Sequence, residues 1–364
     1  MGKKNRSEIR DSILKLLDDK PLSIQQMSEG VGSNWATVND ALEELKSEGL
    51  VKEIVSTDKM KIFRTNDYPV FYSIPIARKY RDETFFIMCE IVKEWKETKQ
   101  GFPLNTTLQK ITVDVIRDRN LSLPVLPLHY GLVSAIGVRP QSLIESDKQK
   151  YCDGIKISFD KEAVLETIKE QVAKHENDAS SEEDNQYVKY ELNFFKLRKR
   201  FVKLFKKNID SEKLEKVLLD FTLEFPSENP DIYNLFDRYL QSSIVLLNSN
   251  KKEENTQEIK ETFDLLWDLT TAGMYLNEAR RFVLPDDLSL FELIKTFHLN
   301  SKLTTVDERV SNLESASENV SSEELNVSTD DESVSIRRTL QKGLRRNNEL
   351  VSGYVHYYFL RIRN

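Results

Sequence analysis

The chain has 364 residues, with 53 Lys and Arg against 60 Asp and Glu and a formal net charge of −7. That balance excludes a uniformly basic coat for nucleic acid, so any phosphate-binding surface must be a local patch. Hydrophobic residues make up 39% and charged residues 31%, enough for sizeable cores under a wet surface, and the length suggests two or three domains. Cys89 and Cys152 lie far apart, with no CxxC and no metal spacing, which suits a reducing cytosol without a disulfide framework. The start, MGKKNRSEIRDS, is charged and is no secretory signal. Leu121 to Val138, the most apolar run, is broken by Pro124, Pro127, His129 and Gly131 and is too short to span a bilayer. The expectation is a cytoplasmic protein that does not enter a membrane.

In chain order, Arg6 to Asp18 carries Ile9, Ile13, Leu14, Leu16 and Leu17 near helical spacing and stops before Pro21. Ser23 can cap a second helix built on Ile24, Met27 and Val31, and Gly30 and Gly32 allow a sharp reversal. Asn34 can cap a third helix with core positions Val38, Ala41, Leu42 and Leu45, which Gly49 stops. Glu53-Ile54-Val55 and Lys61-Ile62-Phe63 then flank a polar tip, Ser56 to Lys59, as two short strands. Three helices followed by a strand pair is the element order of a winged helix-turn-helix. The fold class expected is mainly α with a small β component: this N-terminal unit, residues 1–67, followed by α-helical domains.

Residues 68–174 read as a mixed, mainly helical middle domain. It has helices over Arg81 to Thr98, Leu104 to Arg117 and Asp160 to Lys174, and a short strand over Tyr151 to Phe159. Residues 175–186, HENDASSEEDNQ, contain no large apolar residue and read as a linker. A helical C-terminal domain is expected over 187–299. Its opening places Tyr187, Tyr190, Phe194, Leu197, Phe201 and Leu204 at 3-4-3-4-3 spacing, a coiled-coil seam of about three heptads that would pair two copies into a homodimer. A core helix with solvated lysines, or a basic helix for nucleic acid or lipid, are the other readings of the same pattern. Residues 300–335 turn Ser- and acid-rich and are expected to be disordered. Residues 336–364 reverse sign, with aromatic positions that suit a docked basic helix.

Asn34-Trp35-Ala36-Thr37-Val38, followed by Leu42, Leu45 and Gly49-Leu50-Val51, resembles the winged helix-turn-helix transcription regulators of archaeal type, over about Ser7 to Arg64. In that family the third helix enters the major groove and the wing touches backbone or minor groove. The resemblance implies double-stranded DNA as partner. Asn34 would be the cap, Trp35 and Ala36 would sit at the DNA edge, and Thr37 would bond a phosphate. Asn39 and Asp40 would lie where bases are read, with Lys59, Lys61 and Arg64 on or beside the wing. Against this, Asp40 and Glu43 would face a phosphate-lined groove, and Met1 to Asn66 carries eleven bases against eleven acids. A winged helix that grips a protein partner is therefore the competing expectation.

No HExxH, GxSxG or GxxxxGK[ST] occurs, and His129, His175, His298 and His356 are scattered. The chain is therefore expected to be no enzyme and to need no cofactor and no metal.

Overall fold

The computed structural model describes residues 6–48, 50–57, 60–65, 74–129, 131–134, 143, 152–205, 211–226, 228–249 and 252–320. The described chain is mainly helical with two small sheets. Its described residues group into two compact units, one within 6–192 and 271–301 and the other within 193–270 and 302–320.

The first unit opens with α1 (Arg6–Asp19), β1 (Leu22–Ser23), α2 (Ile24–Val31) and α3 (Trp35–Ser47), then β2 (Val51–Ser56) and β3 (Lys61–Thr65). The apolar positions at helical spacing converge: Ile9, Ile13, Leu17, Met27, Val31, Val38, Leu42 and Leu45 pack with Phe63 of β3 in one buried cluster. The sheet is antiparallel in the order β1-β3-β2, with Leu22 opposite Phe63 and a register shift between Glu53 and Val55. Alternation along β3 sends Phe63 into the helical cluster and Ile62 and Arg64 to the opposite face, and all three are buried.

Helices α4 (Arg78–Thr98), α5 (Asn105–Asp118) and α6 (Lys161–Lys174) build the second core of this unit around Ile87, Ile91, Trp95, Ile111, Val115 and Ile168. A hairpin, β4 (Val125–Leu128) with β5 (Gly131–Ser134), lies in the Pro-containing stretch between α5 and α6. The strand expected over Tyr151 to Phe159 does not form. Cys152 to Gly154 make one helical turn, and Ile155, Ile157 and Phe159 pack on the helical core. Their alternation thus serves packing, not pairing. Cys89 of α4 and Cys152 form a disulfide, contrary to the expectation that these cysteines have no bridge to make. Chain distance concealed the pair, because the folding of α4 against the segment before α6 brings residues 63 apart in sequence together.

The expected linker, 175–186, is instead largely α7 (Ala179–Lys189). Its polar composition concealed the helix because its inner face docks through polar residues, Gln186 being 4% exposed. The coiled-coil seam is interrupted. Glu191 takes φ 52°, and Leu192 N donates to Tyr187 O at 3.0 Å, a left-handed helix ending before α8 (Asn193–Leu204) begins. Tyr187 and Tyr190 therefore belong to the first unit, whereas Phe194, Leu197, Phe201 and Leu204 belong to the second.

The second unit comprises α8, α9 (Ser211–Glu224), α10 (Pro230–Leu247), the first part of α11 (Lys252–Ala279) and the end of α12 (Leu288–Glu318). Its core is aromatic. Phe194 stacks on Trp267 at 4.4 Å, Phe201 lies 3.9 Å from Phe263, and Phe225 stacks on Phe236 at 4.0 Å between ring centroids. Phe194, Leu197 and Phe201 are buried within the chain, so they are core residues and not an open dimer seam. Helix α12 also corrects the disorder expected from Asn300. It continues to Glu318, with Val306, Val310 and Leu313 buried. Arg238 of α10 holds Asp307 and Glu314, and Arg309 holds Glu258 at 2.9 Å, so its acids act as pairing groups. The remainder of that acidic segment and the basic tail, 336–364, lie outside the described residues.

Candidate nucleic-acid interface

The geometry around α3 is set by two caps. Ser23 closes a capping box on α2: its Oγ accepts from Gln26 N at 3.3 Å, and Gln26 Oε1 accepts from Ser23 N at 2.8 Å. Gly32 ends α2 at φ 68°, a left-handed conformation that a side chain would strain. Asn34 Oδ1 then accepts from Thr37 N at 2.8 Å, fixing where α3 starts. With Val38, Ala41, Leu42 and Leu45 buried, helical phase turns Trp35, Ala36, Asp40 and Glu43 outward; Trp35 is 55% exposed. Asn39 and Thr37 are half-buried at the edge of this face.

Two of the expected contact residues, Thr37 and Arg64, are engaged within the chain. Thr37 Oγ1 donates to Asn34 Oδ1 at 2.9 Å, so its hydroxyl proton is engaged by the cap in this structure. Arg64 is 0% exposed and donates through Nη1 to Ile74 O at 3.2 Å. Its place on β3, one residue from Phe63, puts it on the face away from the helical cluster, where it meets Ile74 O. Lys61 is exposed on the same strand, and Lys59 lies outside the described residues. The hairpin turn is held by Thr57 N donating to Met60 O at 2.9 Å.

Charges around α3 are largely spent on each other. Arg6 and Arg10 of α1 pair with Glu44, and Arg10 also pairs with Glu48, fastening α1 to the back of α3. Lys46 reaches Glu53 of β2 at 3.1 Å; that bond, with the field of Glu43, raises the Lys46 pKa. Burial, with the nearby Arg64 charge, lowers the pKa of Lys52. Asp40 and Glu43 have no ion-pair partner among the described residues. The outward face of α3 therefore offers an indole, a methyl, two carboxylates and the first-turn amides of Trp35 and Ala36, which have no acceptor within the helix. Sequence reading missed the α1–α3 ion pairs; Arg6 and Glu44 are 38 residues apart, and only the packed helices bring them together.

Among the described residues no cluster of His, Cys, Asp and Glu could hold a metal ion, and no helix is long and apolar enough to cross a membrane. Comparison of the chain with protein-family models, with curated proteins and with solved structures finds no match.

Proposed function

We propose that the chain is a sequence-specific, non-enzymatic DNA-binding transcription regulator in which residues 6–65 form a winged helix-turn-helix. Helix α3 is its recognition helix and β2–β3 its wing. The observation that carries this reading is the capped start of α3, held outward on a rigid three-helix core with Trp35, Ala36 and Asp40 exposed. The amides of Trp35 and Ala36 sit at the positive end of the helix and suit a phosphate oxygen. The methyl of Ala36 and the indole of Trp35 suit a thymine methyl, and the Asp40 carboxylate suits a cytosine amino group. Lys61 supplies a backbone contact from the wing. Tyr187, Phe194, Leu197 and Phe201 are buried within the chain, so the reading does not rest on a dimer seam there.

Selection of bound sequences from random duplex DNA, followed by anisotropy titration across salt concentrations, tests this. An enriched motif with salt-dependent affinity supports it, and Asp40→Ala should relax preference at a cytosine without abolishing binding. A pool that never enriches sinks the reading. The exposed carboxylates Asp40 and Glu43 beside the exposed Trp35 favour a second reading, an adaptor surface for a protein partner. A failed selection together with a partner lost on Trp35→Ala would favour it.

A further inference from the structure

Helix α5 is buried along ten consecutive residues, Thr107 to Ile116. One side, with Leu108, Ile111 and Val115, enters the apolar core. The other carries Lys110, Asp114 and Asp118 at i, i+4 and i+8, a single row along the helix. The end of α6 with His175, and the second half of α7, face that row. Together they line an open cavity of about 440 Å³ whose residues are all polar or charged in type. This lies within the roughly 300–1,000 Å³ of small-molecule sites.

Its inner wall is built from fixed groups. Lys110 is 2% exposed and donates to Gln186 Oε1 at 2.7 Å and to Leu132 O at 3.3 Å. Gln186 Oε1 also accepts from Leu132 N at 2.9 Å. Gly131, at φ 106°, lets the hairpin backbone close over this pair; a Cβ there would fall 2.7 Å from Gln186 Oε1 and 3.3 Å from Lys110 Nζ.

The two carboxylates in the cavity are already used. Asp114 receives the Tyr190 hydroxyl, lies 3.1 Å from His175 Nε2 and pairs with Lys189 at 3.3 Å. Burial alone would raise its pKa; the bonds to His175 and Tyr190 and the Lys189 charge outweigh this and hold it below the ordinary carboxylate value. Asp118 accepts from Gln171 at 2.5 Å and from Lys189 at 3.2 Å. Donors remain. Among the described residues nothing accepts from the Lys174 ammonium or the Asn185 amide, both of which line the cavity. Three lysines against two aspartates leave it net positive.

We propose that this cavity binds a small oxyanion, a phosphate or a dicarboxylate. Lys174 and Asn185 donate to it at the mouth, and the Lys110 charge favours it from within. A cationic ligand would find both carboxylates occupied. The proposal does not depend on what α3 binds.

Isothermal titration of the full chain at constant ionic strength, with inorganic phosphate, succinate and putrescine in separate arms, is the test. One of the two anions should bind at a single site, and which one distinguishes phosphate from carboxylate chemistry. Lys174→Gln, an exposed position that should leave the fold intact, should weaken binding about fivefold, and Lys174→Arg should retain it. Anion binding unchanged in Lys174→Gln would place the site elsewhere and overturn the proposal. So would the absence of anion binding, or binding of putrescine instead.

Discussion

Arg64 and Lys61 are three residues apart on one strand, yet their replacement by alanine should have opposite consequences. The Arg64 guanidinium is buried and donates to Ile74 O, a charged-donor bond worth about 1.5–3 kcal/mol. Truncation also empties the volume of a long buried side chain, a change that costs about 2–5 kcal/mol in other cores. The two contributions overlap, so Arg64→Ala should lower stability by about 3–5 kcal/mol. Urea denaturation followed by far-UV circular dichroism would read this as a lower midpoint. Lys61 is exposed, so Lys61→Ala should change stability by less than about 0.5 kcal/mol. If the wing meets DNA, the same variant should reduce the slope of log affinity against log salt by about 0.9, one phosphate contact. An Arg64→Ala protein with an unchanged midpoint and weakened DNA binding would refute the buried placement.

Gly131→Ala meets both positive φ and a crowded Cβ position and should cost about 2–4 kcal/mol. Gly101→Ala, at φ 74° with nothing within 4 Å, should cost only about 1 kcal/mol; equal losses in denaturation would show that the contact with Gln186 is not real. Because Asp114 has its pKa lowered by folding, its ionised form contributes stability above its unfolded value, and this is lost as pH falls through the folded value. Asp114→Asn should therefore be less stable at neutral pH and show a flatter decline in stability below about pH 4, measured by melting temperature against pH. A thiol reagent should titrate no cysteine in the denatured, unreduced protein and two after reduction; closing the loop between Cys89 and Cys152, 63 residues apart, is worth about 4 kcal/mol. Two thiols without reductant would contradict the bridge.

Local signals in the N-terminal 65 residues agree with one another, which is why so much there was legible. Ser23, Gly32 and Asn34 occupy the cap positions their chemistry suggests, and the spacing of Val38, Ala41, Leu42 and Leu45 marks the buried side of α3. The helical domain expected over 187–299 likewise contains α9 and α10. Composition misled where helices bury polar faces or pair charges. Residues 175–186 looked like a linker although most of them lie in α7 and Gln186 docks on the hairpin. Asn300 to Glu318 looked disordered although Arg238 and Arg309 neutralise acids along α10–α12 and α11–α12. A seam that looked continuous from Tyr187 to Leu204 hid a helix ending at Glu191, because hydrophobic period carries no information about a single left-handed residue.

By itself, then, the sequence determined the three helices and the strand pair of the first 65 residues, the start of α3 and the side it presents, since caps and periodicity act within a few residues, whereas β1 forms only by pairing with β3. Only the tertiary structure decided which of those side chains are free. Arg64 is buried where it meets Ile74 O, ten residues further on. The polar row of α5 meets its partners 76 residues away at Gln186 and Tyr190. Burial and pairing of charge depend on what folds over a residue, and for these residues that cover comes from distant parts of the chain.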